Sequence, residues 1–396
     1  MTEGEFLPSR PAPDIEDSVT ISSTPRFSPL HDIHVALGAS FTDFGGWQMP
    51  VHYSSDLAEH HAVRRAAGIF DISHMAEITV TGPDAAAFLD YALVGKISAV
   101  PLFGAKYSLI LTAAGGILDD LIVYHTAEGE YLVVANAGNR DAVVAALAER
   151  SAAFEVTISD TTDSTVLIAV QGPEALAILT ETADLRTTER LSLGRTLESL
   201  KYYACMGMAF RDTSVLVART GYTGEDGFEL YVDVEDAAGL WQALSEAGVA
   251  HSLTPAGLAS RDTLRLEAGM PLYGHELGID ILPVQAGLGR VVALSKEGDF
   301  VGRAAVQAGP AEAARVLVGI TAEGKRAGRA GYLLYSGDEE VGVITSGALS
   351  PTLGHPIAMA YVDPAVAEEG TALDIDVRGT RIPARIVPLP FYKRAR

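Results

Sequence analysis

Short runs of β-branched and aromatic residues, broken by glycine and proline, recur along most of the chain. They predict strands over 77–81, 106–112, 120–124, 131–135, 165–170 and 215–219. Between them, segments with helical spacing of apolar positions predict helices over 57–67, 83–93, 140–151 and 236–247. Gly68 and Gly248 close the first and last of these, and Asp84 stands in the first turn of the second. A further helix is predicted to begin at Thr254, with Thr254 as cap, Pro255 in the first position and Gly269 at the end. Arg261 and Arg265 are four apart on it and share a face. Composition then shifts to Ala, Gly and Pro over 306–315, which reads as a linker. Beyond it, strands are predicted over 316–321, 341–345, 357–362, 373–377 and 382–387, with turns and no helix between them. That is the pattern of a small β-barrel or jelly roll. The earlier strands and helices do not alternate regularly, so the class expected there is α+β.

Charge and cysteine content narrow the function classes. Lysine and arginine total 29 against 51 acidic residues, a net charge of −22 over 396 residues. A nucleic-acid binder needs a basic face to displace counterions from phosphates, so neither nucleic acid nor an anionic membrane surface is an expected partner. An anionic ligand must be captured by a local basic site against the overall field. The single cysteine, Cys205, rules out an intramolecular disulfide and a cysteine zinc cluster. The ten histidines form no metal-ligand spacing, and adjacent His60 and His61 point apart on a helix, so no metal is expected. No apolar run approaches the ~18 residues of a membrane span. No basic segment followed by an apolar core opens the chain, so a cytoplasmic protein is expected. The first residues, rich in Pro, Ser and acids, read as a disordered extension over 1–26.

The chemistry-bearing segments are few. There is no P-loop, no Gly-x-Gly-x-x-Gly between a strand and a helix, and no Gly-x-Ser-x-Gly elbow. Asp119-Asp120 enters an apolar strand, where alternation puts the two carboxylates on opposite faces. The pair reads either as two exposed acids in a strand-entry turn, or as one solvated acid and one turned inward. An inward carboxylate can take a proton or stabilise a cation. Phe-Asp-Ile-Ser-His-Met over 70–75 reads by itself as a polar connector, with His74 structural. Asp-Phe-Gly-Gly-Trp-Gln-Met-Pro over 43–50 reads as a packed loop in which Trp47 walls a pocket or joins a core. Gly-Tyr-Thr-Gly-Glu-Asp-Gly-Phe-Glu over 221–229 is a tight turn between strand-like runs, able to present polar groups to a planar ligand.

Together these segments resemble, in order and spacing, the folate-dependent aminomethyltransferases, the T-protein family of the glycine cleavage system. Stretches 170–173, 257–274, 345–354 and 390–393 extend the likeness, and only the N-terminal extension lies outside it. The resemblance implies a three-domain α+β fold around a central folate cavity, with two α+β subdomains over 27–304 and a C-terminal β-barrel or jelly-roll domain over 313–396. It also implies transfer of the methylene of an aminomethyl-lipoyl group, carried by a lipoylated H-protein, to tetrahydrofolate. The products are 5,10-methylenetetrahydrofolate, ammonia and the dihydrolipoyl carrier.

By the same resemblance Asp120 is the catalytic aspartate, with Asp119 its solvated partner. Glu229 binds the pterin through two acceptor oxygens, and Arg261 contacts the folate. Tyr222 and Met75 wall the pocket, Tyr107, Tyr124 and Asn136 line it, and Tyr392 reaches the ligand from the chain end. Glu225 and Asp226 are expected to be structural. Gly289-Arg290 stands where many relatives have an aromatic after glycine. Two other readings use related scaffolds. A folate-dependent demethylase of a small methylated compound diverges from this chain around 70–75. A non-catalytic folate-binding iron–sulfur assembly factor needs a late cysteine motif, which Cys205 does not provide.

Overall fold

The structure is a computed structural model that describes residues 25–394. The extension expected over 1–26 lies almost wholly outside the described residues. Two large sheets organise the first part of the chain. One has five antiparallel strands in the order Ala105–Leu111, Ile117–Ala127, Glu130–Ala135, Ala76–Thr81, Thr157–Asp160. The other has seven, in the order Leu185–Arg186, Cys205–Phe210, Thr213–Ala218, Gly227–Asp233, Thr165–Gln171, Ala67–Asp71, Leu253–Pro255. Its last pair is parallel.

Each sheet is apolar on both faces. Val166, Ile168 and Val170 pack outward with Leu240, Trp241 and Leu244 of helix Val234–Gly248. Alternate residues Leu167 and Ala169 turn inward and meet Tyr124 and Val134 of the five-stranded sheet. The outer face of that sheet carries helices Ala85–Ala92 and Arg140–Arg150 over Ile78, Val80 and Val133. The four layers explain why 165–170 is a nearly unbroken apolar run: a strand covered on both sides has no polar face to alternate with.

A six-stranded closed barrel follows, in the order Val316–Ala322, Pro356–Val362, Glu339–Leu349, Leu333–Ser336, Ala372–Val377, Thr380–Val387. The α+β class of the first part and the barrel agree with the sequence reading. Helix Leu258–Glu267 joins the halves, with Leu266 packing on Ile357 and Met359 of the barrel.

Several local expectations are corrected. Thr254 and Pro255 do not open a helix; they form the edge strand Leu253–Pro255, and the helix starts at Leu258. Proline needs no partner for its missing N–H at a sheet edge, so the same residue suits both roles. Gly269, at φ +64°, does end the helix. The helix at 57–67 runs over Asp56–Arg65, and Gly68 lies inside the strand Ala67–Asp71, next to the edge of the seven-stranded sheet. It is glycine because a Cβ there would meet a Val63 methyl at 2.5 Å. That strand takes Phe70 and Asp71 out of the supposed connector. The linker at 306–315 begins inside a short helix, Arg303–Ala308.

Candidate functional site

Between the two sheets and the start of the joining helix lies a cavity of about 290 Å³. Its wall includes Met75, Tyr107, Asp120, Asn136, Tyr222, Glu229 and Arg261. Two of the expected residues stand elsewhere. Tyr124 is fully buried beneath the wall, and Tyr392 sits beyond it, its ring 4.1 Å under the Arg64 guanidinium and its N–H donating to the Glu267 carbonyl. A second cavity of about 440 Å³ opens on the barrel, lined by Thr321, Tyr335, His355, Asp374 and Arg385 among others. Its acids are half-buried (Asp374) or exposed (Glu323), so it gathers no buried acid.

Asp120 is held by two donors. The Tyr107 hydroxyl reaches one carboxylate oxygen at 3.0 Å and Asn136 Nδ2 the other at 2.9 Å. Burial pushes the Asp120 carboxyl up to about 6, while Tyr107 and Asn136 oppose the shift. Asp119 is not solvated. It is fully buried on the opposite face of the strand, accepting from the Asn136 N–H at 2.9 Å and from the side-chain amides of Asn136 at 2.8 Å and Asn139 at 2.7 Å. The strand face that would have met water is covered by the turn Ala137–Asn139, so the acid was given amide donors instead. Burial first, and the neighbouring Asp120 charge second, push Asp119 up to about 7. Asn136 thus ties the two acids together, one in the wall and one behind it.

Glu229 accepts from Thr220 Oγ1 at 2.5 Å and Tyr124 Oη at 3.3 Å, both on Oε2. Tyr231 Oη lies 3.3 Å behind Tyr124. Tyr124 therefore holds Glu229 from behind the wall instead of lining the cavity. No donor among the described residues reaches Oε1, which is left for the cavity. The Arg261 guanidinium lies 4.8 Å from the Tyr222 ring centroid, and the Tyr222 hydroxyl is fixed to the Pro271 carbonyl at 2.5 Å. Arg265, on the same face, is spent differently: it is buried and bridges Asp262 and Glu276. Glu225 and Asp226 are structural pairs, with Arg64 at 2.9 Å and Arg219 at 2.5 Å.

Sequence reasoning missed Phe44, Tyr203, Thr220 and Tyr273 in the wall. For Tyr203 the adjacent Tyr202-Tyr203 was a signal, and its φ of +61° marks an unusual backbone site. Chemically, the cavity offers a carboxylate with a raised pKa, a second carboxylate with a free oxygen, a guanidinium and aromatic walls. That set can grip a planar ring with adjacent donors and move a proton at its edge. Among the described residues no group of three or more histidine, cysteine or acidic side chains is placed to hold a metal ion.

Comparisons with known proteins agree with one another. The GCVT N-terminal domain family matches residues 30–296, and the glycine cleavage T-protein C-terminal barrel domain family matches 315–393. An aminomethyltransferase of Cutibacterium acnes is 60% identical over 94% of this chain and 100% of its own length. One of Saccharopolyspora erythraea is 55% identical over 94% and 99%. Among solved structures, the glycine cleavage system aminomethyltransferase T of Bartonella henselae superposes with a TM-score of 0.84 at 35% identity, covering 93% of this chain and 99% of that one.

Proposed function

The chain belongs to the glycine cleavage T-protein family of aminomethyltransferases, and from that premise we propose that Asp120, Glu229 and Arg261 are the groups that bind and activate tetrahydrofolate in its central cavity. The protein is an enzyme, an aminomethyltransferase of the glycine cleavage system. It uses tetrahydrofolate as one-carbon acceptor and a lipoylated H-protein as donor of the aminomethyl group. The observation that carries the assignment of roles is the separation of two carboxylates in one cavity, Asp120 with a raised pKa and Glu229 with an unused oxygen.

Joining the methylene to two folate nitrogens releases two N–H protons. One leaves with ammonia and one with the thiol of the carrier. Positive charge develops on nitrogen as the carbon is attacked, and ionised Asp120 stabilises it or removes the proton. Tyr107 and Asn136 hold the carboxylate toward the reacting edge. Glu229 meets the pterin's amino and ring N–H groups, and Arg261 meets its oxo group or a tail carboxylate. Met75 and Tyr222 wall the ring. The N-terminal α+β region over 27–304 supplies these groups, and the barrel over 313–396 closes the assembly behind the joining helix.

The direct test is an assay with aminomethyl-loaded H-protein and tetrahydrofolate that scores ammonia and methylenetetrahydrofolate together. Formation of neither rejects the proposal. Glu229→Ala is expected to weaken tetrahydrofolate binding by about 10- to 100-fold, since a charged acceptor is removed from a paired site. Calorimetry checks it, and an unchanged dissociation constant removes Glu229 from the site.

A pH dependence follows from the raised Asp120. The required form is ionised, so single-turnover rates should hold level at high pH and fall as pH drops through about 6. Tyr107→Phe takes away a hydrogen bond to the charged form and should move that midpoint upward. A midpoint that stays put in the Phe variant would disconnect Tyr107 from the titrating group.

A further inference from the structure

His74 lies in the cavity wall between the strands Ala67–Asp71 and Ala76–Thr81, with 2% of its surface exposed. Its surroundings are rigid. Ile72 N–H donates to the Leu167 carbonyl at 3.0 Å, Met75 N–H closes a turn on the Ile72 carbonyl at 3.1 Å, and the Phe44 ring stands edge-on at 5.2 Å. Yet the ring nitrogens of His74 take no hydrogen bond among the described residues, and Nδ1 is buried without a partner.

The other fully buried histidines show what a structural imidazole looks like in this chain. His34 bonds Asp71 at 2.8 Å through Nε2 and Tyr53 at 2.9 Å through Nδ1. His60 bonds Thr263 at 2.8 Å and Thr352 at 2.9 Å. Asp71, three residues before His74, is likewise saturated by Ser28, His34 and Ser73. Among the described residues, His31, Glu77, Thr112, Glu276 and Arg394 also carry buried polar atoms without a partner, but only His74 does so in the cavity wall, where a ligand can supply one.

The ring is also uncharged. Burial first, then the Arg261 cation, push His74 down to about 3 against the pull of Asp71. An imidazole in this state offers one donor and one acceptor, unlike Glu229, which only accepts, and Arg261, which only donates. A pterin edge alternates donors and acceptors. We propose that His74 is a further substrate-contacting residue, in which a ring nitrogen hydrogen-bonds a polar ring atom of tetrahydrofolate beside Arg261. This rests on the reading of the cavity as the folate site.

The test measures tetrahydrofolate binding and thermal unfolding for His74→Phe and His74→Asn, with Glu229→Ala alongside. His74→Phe keeps an aromatic ring but removes both nitrogens, and should weaken binding about tenfold. Its unliganded melting temperature should hold or rise, because an unpaired polar atom is gone. His74→Asn keeps a donor and an acceptor and should recover binding to within about threefold. In the unaltered protein, the His74 ring 15N resonances should shift when tetrahydrofolate is added, a reading that no folding defect can disturb. A purely structural histidine would give the reverse: a lower melting temperature, unchanged binding and no shift on ligand addition. Weaker binding in Glu229→Ala alone overturns the role of His74 and leaves the folate site standing. An effect confined to the KM for H-protein overturns it too, and unchanged binding in both variants overturns the folate reading and His74 with it.

Discussion

Asp120→Ala should still bind tetrahydrofolate within a few-fold of the unaltered enzyme while losing about 10²- to 10⁴-fold in ammonia release from aminomethylated H-protein. Binding survives because the groups that hold Glu229 and Tyr222 make no bond to Asp120: Thr220 and Tyr124 hold Glu229, and the Pro271 carbonyl holds Tyr222. The chemistry does not, because the nearest other carboxylate, Asp119, is turned to the opposite face and fully engaged by Asn136 and Asn139. It cannot rotate into the cavity without breaking those bonds. Removing the Asp120 charge also takes away one of the causes that raise Asp119, so the remaining acid titrates lower. Asp120→Asn separates the two roles of the group. It keeps the shape and an acceptor oxygen but neither the charge nor the basicity, and should be nearly as slow as Ala. Single-turnover measurement of ammonia and methylenetetrahydrofolate decides it. Turnover near that of the unaltered enzyme in either variant would take Asp120 out of the mechanism.

Much of this arrangement was legible in the residues because it is local. The turn at 221–229 and the acid pair at 119–120 are set by their immediate neighbours, and the barrel strands are separated by turn residues. What stayed hidden was set by contacts distant in sequence. Asp119 reads as solvated until the turn carrying Asn139, some 20 residues on, is folded over it. Thr254-Pro255 has the chemistry of a helix start, but the parallel pairing of Thr254 with Gly68 draws it into a sheet. The strand Cys205–Phe210 has few β-branched residues and forms because it pairs along its length with Thr213–Ala218. His74 reads as structural from its position alone; only the pairing of His34 and His60 in the same fold shows how it differs.

Glu267→Ala should be the most destabilising single change, by about 3–5 kcal/mol. This carboxylate ends the joining helix and is fully buried. Ser350 Oγ donates to it at 2.5 Å, the Thr352 N–H at 3.0 Å and Thr352 Oγ1 at 2.8 Å, all from the barrel. From the other side come Arg64, through Nε at 3.1 Å and Nη2 at 2.8 Å, and His60 Nε2 at 3.2 Å. Five hydrogen-bond donors and a histidine thus converge on one acid across the boundary between the first part of the chain and the barrel. Truncation leaves the Arg64 charge half-paired in a buried setting and strands donors that have no water to turn to. Glu267→Gln should cost nearly as much despite its equal size, because one acceptor oxygen becomes an NH₂ group facing donors. Burial alone would raise this acid, but His60, Ser350 and Arg64 outweigh it and hold Glu267 down to about 2, against about 4.3 in the unfolded chain. Its folded-state value is the lower one, so its contribution is complete above the unfolded value and drains away as pH falls through about 2. Urea denaturation at pH 7 and at pH 3 measures both effects: the gap between the unaltered and Gln proteins should be widest at pH 7 and narrower at pH 3. A midpoint at pH 7 equivalent to less than about 0.5 kcal/mol of change would mean that the barrel is held by its apolar contacts around Leu266 and Met359 instead.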